Sequence, residues 1–294
     1  MAKNHLIEEL GPKGRRKVQI GTAVSVVLIA ALVVLALLRL NDRGQLEAEK
    51  WTDLFAGGTL EFLFEGLVAS LKAAAIAGVL ATIAGFALAL MRMSNSAAIR
   101  TFAVAWVELF RGIPLLLTIL GVFAVAGTDD KLGVFWSVVV GLMLYNSAVL
   151  SEIFRSGVRS LDKGQTEAAQ SVGMTYWQTM FIVVLPQAVR RMIPAIVAQM
   201  ATLTKDVSLG YVVGYAEFVR RGAGLSNFPD SEVGNFQAYV FVGVVYFAVI
   251  WSLAKIAEIL EQRSDNNPKL VAADDADEPG IELAGIGDSA AVPN

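Results

Sequence analysis

The sequence predicts an all-α membrane protein with six transmembrane helices and with both its N- and C-termini cytoplasmic, and three observations carry that prediction. Hydrophobic residues make up 55% of the chain and charged residues only 17%, whereas a soluble domain carries about a quarter charged residues. The apolar residues gather in separate runs of about 20, the length a helix needs to cross a hydrocarbon core. Lysine and arginine are more than twice as frequent on one predicted side of the membrane as on the other.

The first run, residues 19–40, follows Lys13, Arg15, Arg16 and Lys17 in a basic tail, residues 1–18. It is too long for the apolar region of a signal peptide, and Leu40-Asn41-Asp42 is no small-residue cleavage site, so it reads as a retained span. The second run covers about Phe62–Met91. The third covers about Thr101–Ala126 and is interrupted by Arg111-Gly112-Ile113-Pro114; the fourth covers about Leu132–Phe154. An amphipathic stretch from Arg155 to Arg191 follows, then a fifth run, about Met192–Tyr215, and a sixth, about Phe236–Ile259. The end of the chain, residues 261–294, contains Asp274-Asp275-Ala276-Asp277-Glu278 and no apolar period that could bury a core, so disorder is expected there. With the N-terminus inside, the basic tail, the Arg92–Arg100 turn and the 155–191 stretch all fall in the cytosol.

Several chemistries lack their residues. There is no cysteine, so disulfides, thiolate metal sites and cysteine nucleophiles are excluded. The single histidine, His5, lies in the N-terminal tail, away from any expected site. No Gly-x-x-x-x-Gly-Lys-[Ser/Thr] loop occurs, so no phosphate cradle of that kind is present. No Gly-x-Ser-x-Gly elbow occurs either, which disfavours an intramembrane enzyme.

The most informative segment is residues 161–188, LDKGQTEAAQSVGMTYWQTMFIVVLPQA. Thr166 is placed to cap a short helix beginning at Glu167, whose carboxylate favours the positive helix start. Ala168 and Ala169 keep one face of that helix thin, and Gly173 supplies the left-handed residue that ends it. Thr175 and Gln178 form a capping box that starts a second helix, with Trp177, Met180, Phe181 and Val184 at helical spacing. Pro186 is expected to end or kink it. Helix, glycine turn and helix at the inner membrane surface suit docking into a groove on a partner, and they equally suit an amphipathic connector resting on the bilayer.

Glu167-Ala168-Ala169, Gly173 and Val183-Val184-Leu185-Pro186, in this spacing, resemble the EAA loop of ATP-binding-cassette (ABC) importer permeases. Flanking segments are similar to the polar amino-acid branch, the histidine/glutamate-type permeases. Arg111-Gly112-Ile113-Pro114 looks like that branch's Arg-Gly-Thr-Pro stretch, and Lys205-Asp206-Val207-Ser208-Leu209 like its Lys-Asp-Thr-Ser-Leu motif. Isoleucine and valine replace a threonine in each, and Val207 thereby loses a hydroxyl. The resemblance covers residues 60–260 and implies a five-helix permease core to which one N-terminal span has been added.

The resemblance further implies that Glu167, Ala168, Ala169, Gly173 and Pro186 form the coupling element seated on an ATPase subunit. The implied partners are two ABC ATPase subunits, a second permease chain (related or identical) and an extracytoplasmic substrate-binding protein, all at a bacterial inner membrane in contact with lipid and without nucleic acid. No cofactor is expected on this chain, because ATP and magnesium are used by the ATPases, and the chain itself is not an enzyme. The expected cargo is a polar amino acid, with glutamate favoured. An ion-coupled secondary transporter is the alternative, but such proteins often carry internal repeats, and none is evident here.

Ionisable residues within spans are costly and are candidates for function. Lys205 and Asp206, with Ser208 beside them, are candidates for the translocation path, and an ion pair that fixes the bundle is the competing reading. Arg111 either binds a carboxylate with its planar fork or marks a structural break. Lys72 lies close enough to its span end to reach outward, and Gly210 with Gly214 forms a small-xxx-small pair.

Overall fold

The computed structural model describes residues 11–55, 58–126, 131–225 and 233–265, which are helical with no strand among them. His5 and the acidic stretch from Asp274 lie outside the described residues. The chain divides into two compact units, Met1–Leu67 with Phe218–Val244, and Val68–Glu217 with Val245–Asn294.

The first unit contains α1 (Pro12–Asp42), α2 (Ala48–Thr52), a 3-10 turn (Asp53–Phe55), the start of α3 (Thr59–Arg92), α10 (Phe218–Gly224) and the start of α11 (Asn235–Asp265). α1 is apolar all round and buries none of its span within the chain, which is the character of a lipid-facing helix. Elsewhere in this unit polar side chains make the ties. Arg221 of α10 donates to Phe62 O at 2.9 Å and to Glu65 at 2.6 Å, with its guanidinium 4.7 Å above the Phe62 ring. Gln237 donates to Gln45 O at 2.7 Å, which pins the turn after α1 to α11.

The second unit holds the rest of α3 and α11 together with α4 (Ala97–Gly112), α5 (Leu115–Ala126), α6 (Lys131–Arg159), α7 (Lys163–Ser171), α8 (Tyr176–Gln178) and α9 (Leu185–Asp206). A π-helical segment (Thr179–Val184) joins α8 to α9, and a 3-10 turn (Val207–Tyr211) follows α9. Lipid tails are as apolar as leucine, so these helices are held by close packing and not by exclusion of water. α3 meets that need with a small residue at every fourth position: Ala73, Ala77, Ala81, Gly85 and Ala89 are all buried. A Cβ on Gly85 would stand 2.8 Å from Leu150 Cβ and 2.9 Å from Ser147 O, so only glycine lets α3 approach α6 this closely. Against this ladder pack Val138, Val139 and Leu142 of α6, Ile119 of α5 and Leu203 and Val207 near the end of α9.

Two expected spans differ from their sequence reading. The third is not a single run: α4 and α5 are bent by 104° at Ile113-Pro114. Ile113 is extended because a residue before proline is pushed out of the helical region, and the chain restarts with Leu117 and Thr118 donating to Pro114 O. Among the described residues five helices are long and apolar enough to cross a membrane, six if the bent pair counts as one span. The helix that carries the fifth run begins at Tyr176, well before Met192, so a continuous helical rod of 36 residues runs to Tyr211.

Candidate functional site

The hairpin that the sequence places at 161–188 is present, with its start moved. Asp162, not Thr166, caps α7: its carboxylate accepts from Gly164 N–H at 2.6 Å, and the helix begins at Lys163. Thr166 and Glu167 therefore lie inside α7, and the interaction of Glu167 with the helix start falls away. An ionised carboxylate immediately before Lys-Gly caps better than a hydroxyl further on. Glu167 and Ala168 are exposed, while Ala169 is buried against the rest of the hairpin.

Gly173 ends α7 as its position in the sequence requires. It takes φ +88°, with its N–H on Gln170 O at 3.0 Å and the Met174 N–H on Ala169 O at 3.2 Å, a Schellman closure. The capping box follows: Thr175 Oγ1 accepts from Gln178 N–H, and Gln178 Oε1 accepts from Thr175 N–H at 2.8 Å. Val172, at the turn, is 78% exposed, an apolar tip that the sequence reading passes over.

Pro186 neither ends nor breaks the second helix. Thr179–Val184, ending two residues before it, take the wider π register, and Leu185 N–H reaches back five residues to Met180 O. The missing proline N–H is thereby absorbed without a stop, and the Gln187 side chain donates to Val183 O at 3.0 Å. α7 packs against this π segment, and Tyr176 Oη donates to Met93 O, at the end of α3, at 3.2 Å. The hairpin is thus continuous with a membrane helix and has no flexible link between them.

At the far end of that rod stand Lys205, Asp206 and Ser208. Lys205 is exposed, Asp206 and Ser208 are half-buried, and the α-helix tightens to 3-10 immediately after Asp206. Val207 is fully buried among Val138, Val139 and Leu142, an apolar site where a hydroxyl would need a partner. Gly214 takes φ +90° outside any helix, so it serves the turn after Tyr211 and does not pack with Gly210 as a helical pair.

Arg111 is not part of this group. It lies 3.8 Å from Glu152, which also binds Arg92 at 2.5 Å and Arg155 at 3.1 Å. α6 rises about 15 Å between Leu142, beside Val207, and Glu152. The structure therefore places Arg111 in an ion cluster joining α3, α4 and α6. Sequence reasoning does not single out Glu152, because only the packing of three helices brings the arginines to it.

Asn146, fully buried in α6, is a second residue the sequence does not flag. It accepts from Gln199 of α9 at 2.8 Å and donates to Leu142 O at 2.9 Å. A groove of about 600 Å³ beside α9 is mostly apolar. Its threonines Thr82 and Thr204 use their hydroxyls on their own helices, on Gly78 O at 2.7 Å and Met200 O at 2.8 Å. Among the described residues no cluster of carboxylates and histidines could hold a metal ion.

Fold and site together define a multi-pass helical membrane protein whose glycine hairpin is built directly onto a spanning helix. The chain belongs to the family described as binding-protein-dependent transport system inner membrane component, whose profile matches residues 77–266, more than half of the chain. It is 37% identical to the glutamate transport system permease protein GluD of Corynebacterium glutamicum, over 76% of this chain and 83% of that one. It is 34% identical to the glutamate/aspartate import permease protein GltK of Escherichia coli, over 70% of this chain and 95% of that one. Among solved structures, that of an amino acid ABC transporter with histidines aligns at TM-score 0.64 and 28% identity, covering 69% of this chain and 94% of its own. The inward-facing MetNI methionine ABC transporter shares the fold at TM-score 0.59 and 18% identity, covering 71% of this chain and 99% of its own.

Proposed function

We propose that this chain is the permease subunit of an ABC importer for a polar amino acid, with glutamate the favoured cargo. The observation that carries the proposal is the hairpin. Glu167, Ala168, Val172 and Gly173 form an exposed, thin-faced tip, and the helix leaving that tip becomes a membrane span without interruption. Such an element suits docking on a partner and passing on its movement; a connector lying on the bilayer needs neither the Schellman closure nor the continuous rod. Relatives named for glutamate, glutamine and arginine transport support an amino-acid cargo, with two glutamate permeases among the most similar.

In this reading residues 60–260 are the permease domain, residues 19–40 an added span, and both termini and the hairpin lie in the cytosol, where the basic residues concentrate. Two ATPase subunits hydrolyse ATP with magnesium, a second permease chain completes the path, and an extracytoplasmic binding protein delivers the cargo. This chain contributes no chemical step. Closure of the ATPases displaces the Glu167–Pro186 element and shifts the spans between two states, with Lys205, Asp206 and Ser208 at the moving end of the rod.

Uptake of labelled glutamate, glutamine, arginine and histidine in cells with and without the gene tests this reading. Loss of uptake of one amino acid in the deletion strain names the cargo, and a parallel loss in a Glu167→Lys strain with normal membrane levels supports docking. Unchanged uptake of all four, with no redundant carrier present, overturns the amino-acid assignment.

A further inference from the structure

A cavity of about 250 Å³ lies inside the hairpin, between the end of α6, α7 and the π segment. Its lining is mostly apolar, Met180 and Val184 among it, and includes two cationic residues, Arg159 and Lys163, and two threonines, Thr166 and Thr179. Neither cation forms an ion pair among the described residues, whose bridges lie elsewhere. The nearest carboxylate in sequence, Asp162, is used as the cap of α7.

Thr179 is the second observation. The residue is 99% buried, yet its Oγ1 has no hydrogen-bond partner among the described residues. A threonine inside a helix commonly donates its hydroxyl to the carbonyl one turn back. Here Thr175 O accepts the Thr179 N–H at 2.9 Å, and the hydroxyl makes no such bond. Buried hydroxyls without partners are rare because each carries an uncompensated desolvation cost. π segments, moreover, occur frequently at functional sites.

We propose that this cavity binds a small oxyanion, a phosphate or a carboxylate, which accepts the Thr179 hydroxyl and is held by the charges of Arg159 and Lys163. An occupant touches both arms of the hairpin and braces α7 against the π segment. Binding as such is independent of the transport reading; its effect on transport rests on that reading.

The test uses the full chain in its assembled transporter, reconstituted in nanodiscs of neutral phosphatidylcholine. Thermal unfolding midpoints are followed while glutamate or inorganic phosphate is titrated, and a third arm replaces part of the lipid with phosphatidylglycerol. The expected result is a saturable rise in midpoint in at least one arm, which identifies the oxyanion's source. Its affinity falls tenfold or more in Arg159→Gln/Lys163→Gln and threefold or more in Thr179→Val. The latter is nearly isosteric and removes no existing hydrogen bond, so it keeps the fold. Arg190→Gln/Arg191→Gln removes equal charge away from the cavity and is expected to bind as the parent does. No rise in any arm overturns the proposal, as does an unchanged affinity in Thr179→Val or an equal loss in the Arg190/Arg191 control. If uptake identifies no amino-acid cargo but the oxyanion still binds, the transport reading fails and the site stands.

Discussion

Arg92, at the end of α3, donates to Glu152 of α6 at 2.5 Å, and only 6% of the Arg92 side chain is exposed. Glu152 is also the carboxylate toward which Arg111 and Arg155 converge. Without that carboxylate, the buried Arg92 guanidinium would lose its ion-pair partner.

Glu152→Gln is therefore expected to destabilise the chain much more than Arg111→Gln. Removing one partner of a buried pair costs ~3–5 kcal/mol, and since about a third of Glu152 reaches solvent, roughly 2 kcal/mol remains. Arg111 is nearly half exposed and stands 3.8 Å away, so its loss costs under about 1 kcal/mol. Thermal unfolding of both variants in detergent checks the order, and equal shifts would contradict it.

Asn146 and Gln199 offer a cleaner pair, because each is uncharged and they join α6 to α9 at 2.8 Å. A double-mutant cycle with Asn146→Leu and Gln199→Leu is expected to give a coupling of ~0.6–1.7 kcal/mol, the range for hydrogen bonds between membrane helices. A coupling of zero would mean that the contact is not held in the membrane.

Gly85→Ala tests the ladder on α3. The new Cβ would meet backbone as well as side chain of α6, so no rotamer change relieves it. Overpacking of this kind costs ~1–3 kcal/mol, read as a lower unfolding midpoint. Gly121→Ala, at a position with no atom within 4 Å of the added Cβ, is the matched control and should be close to neutral.

Pro186→Ala restores an N–H where the π segment now makes up for its absence. The segment is expected to relax toward the α register, which turns everything before it by roughly 100° about the helix axis. The chain has no cysteine, so a single pair introduced at Val172 and Met93 and spin-labelled reports the change as a distance. An unaltered distance would show that the π register does not depend on the proline.

Much of this architecture is legible in the sequence, and the exceptions have physical reasons. Gly173 and the Thr175/Gln178 capping box are local devices whose partners lie within five residues, and both stand where the sequence puts them. The start of α7 is also local: Asp162 and Thr166 compete for it, and the carboxylate, the better cap, takes it. Pro186 reads as an end or a kink because the rule counts the lost N–H, whereas the helix continues through it with a change of register just before. Glu152 and Asn146 are invisible for a different cause. Their partners lie 60 and 53 residues away, on helices whose facing sides are fixed only by packing. The small-residue ladder of α3 is written in plain spacing, yet attention to glycine pairs alone passes over a series made mostly of alanine.

The rod from Tyr176 to Tyr211 has mechanical consequences of its own. A loop between hairpin and span would filter whatever the hairpin receives, passing on tension and losing twist. A helix some 50 Å long passes on both. Its prolines, at 186 and 194, leave it unbroken. It therefore acts as a driveshaft, and a quarter turn imposed beside Gly173 reappears, in sense and nearly in size, at Lys205 and Asp206. Substitutions along its lipid-facing side should then be silent, and inserting a single residue anywhere along it should misalign its two ends as surely as cutting it.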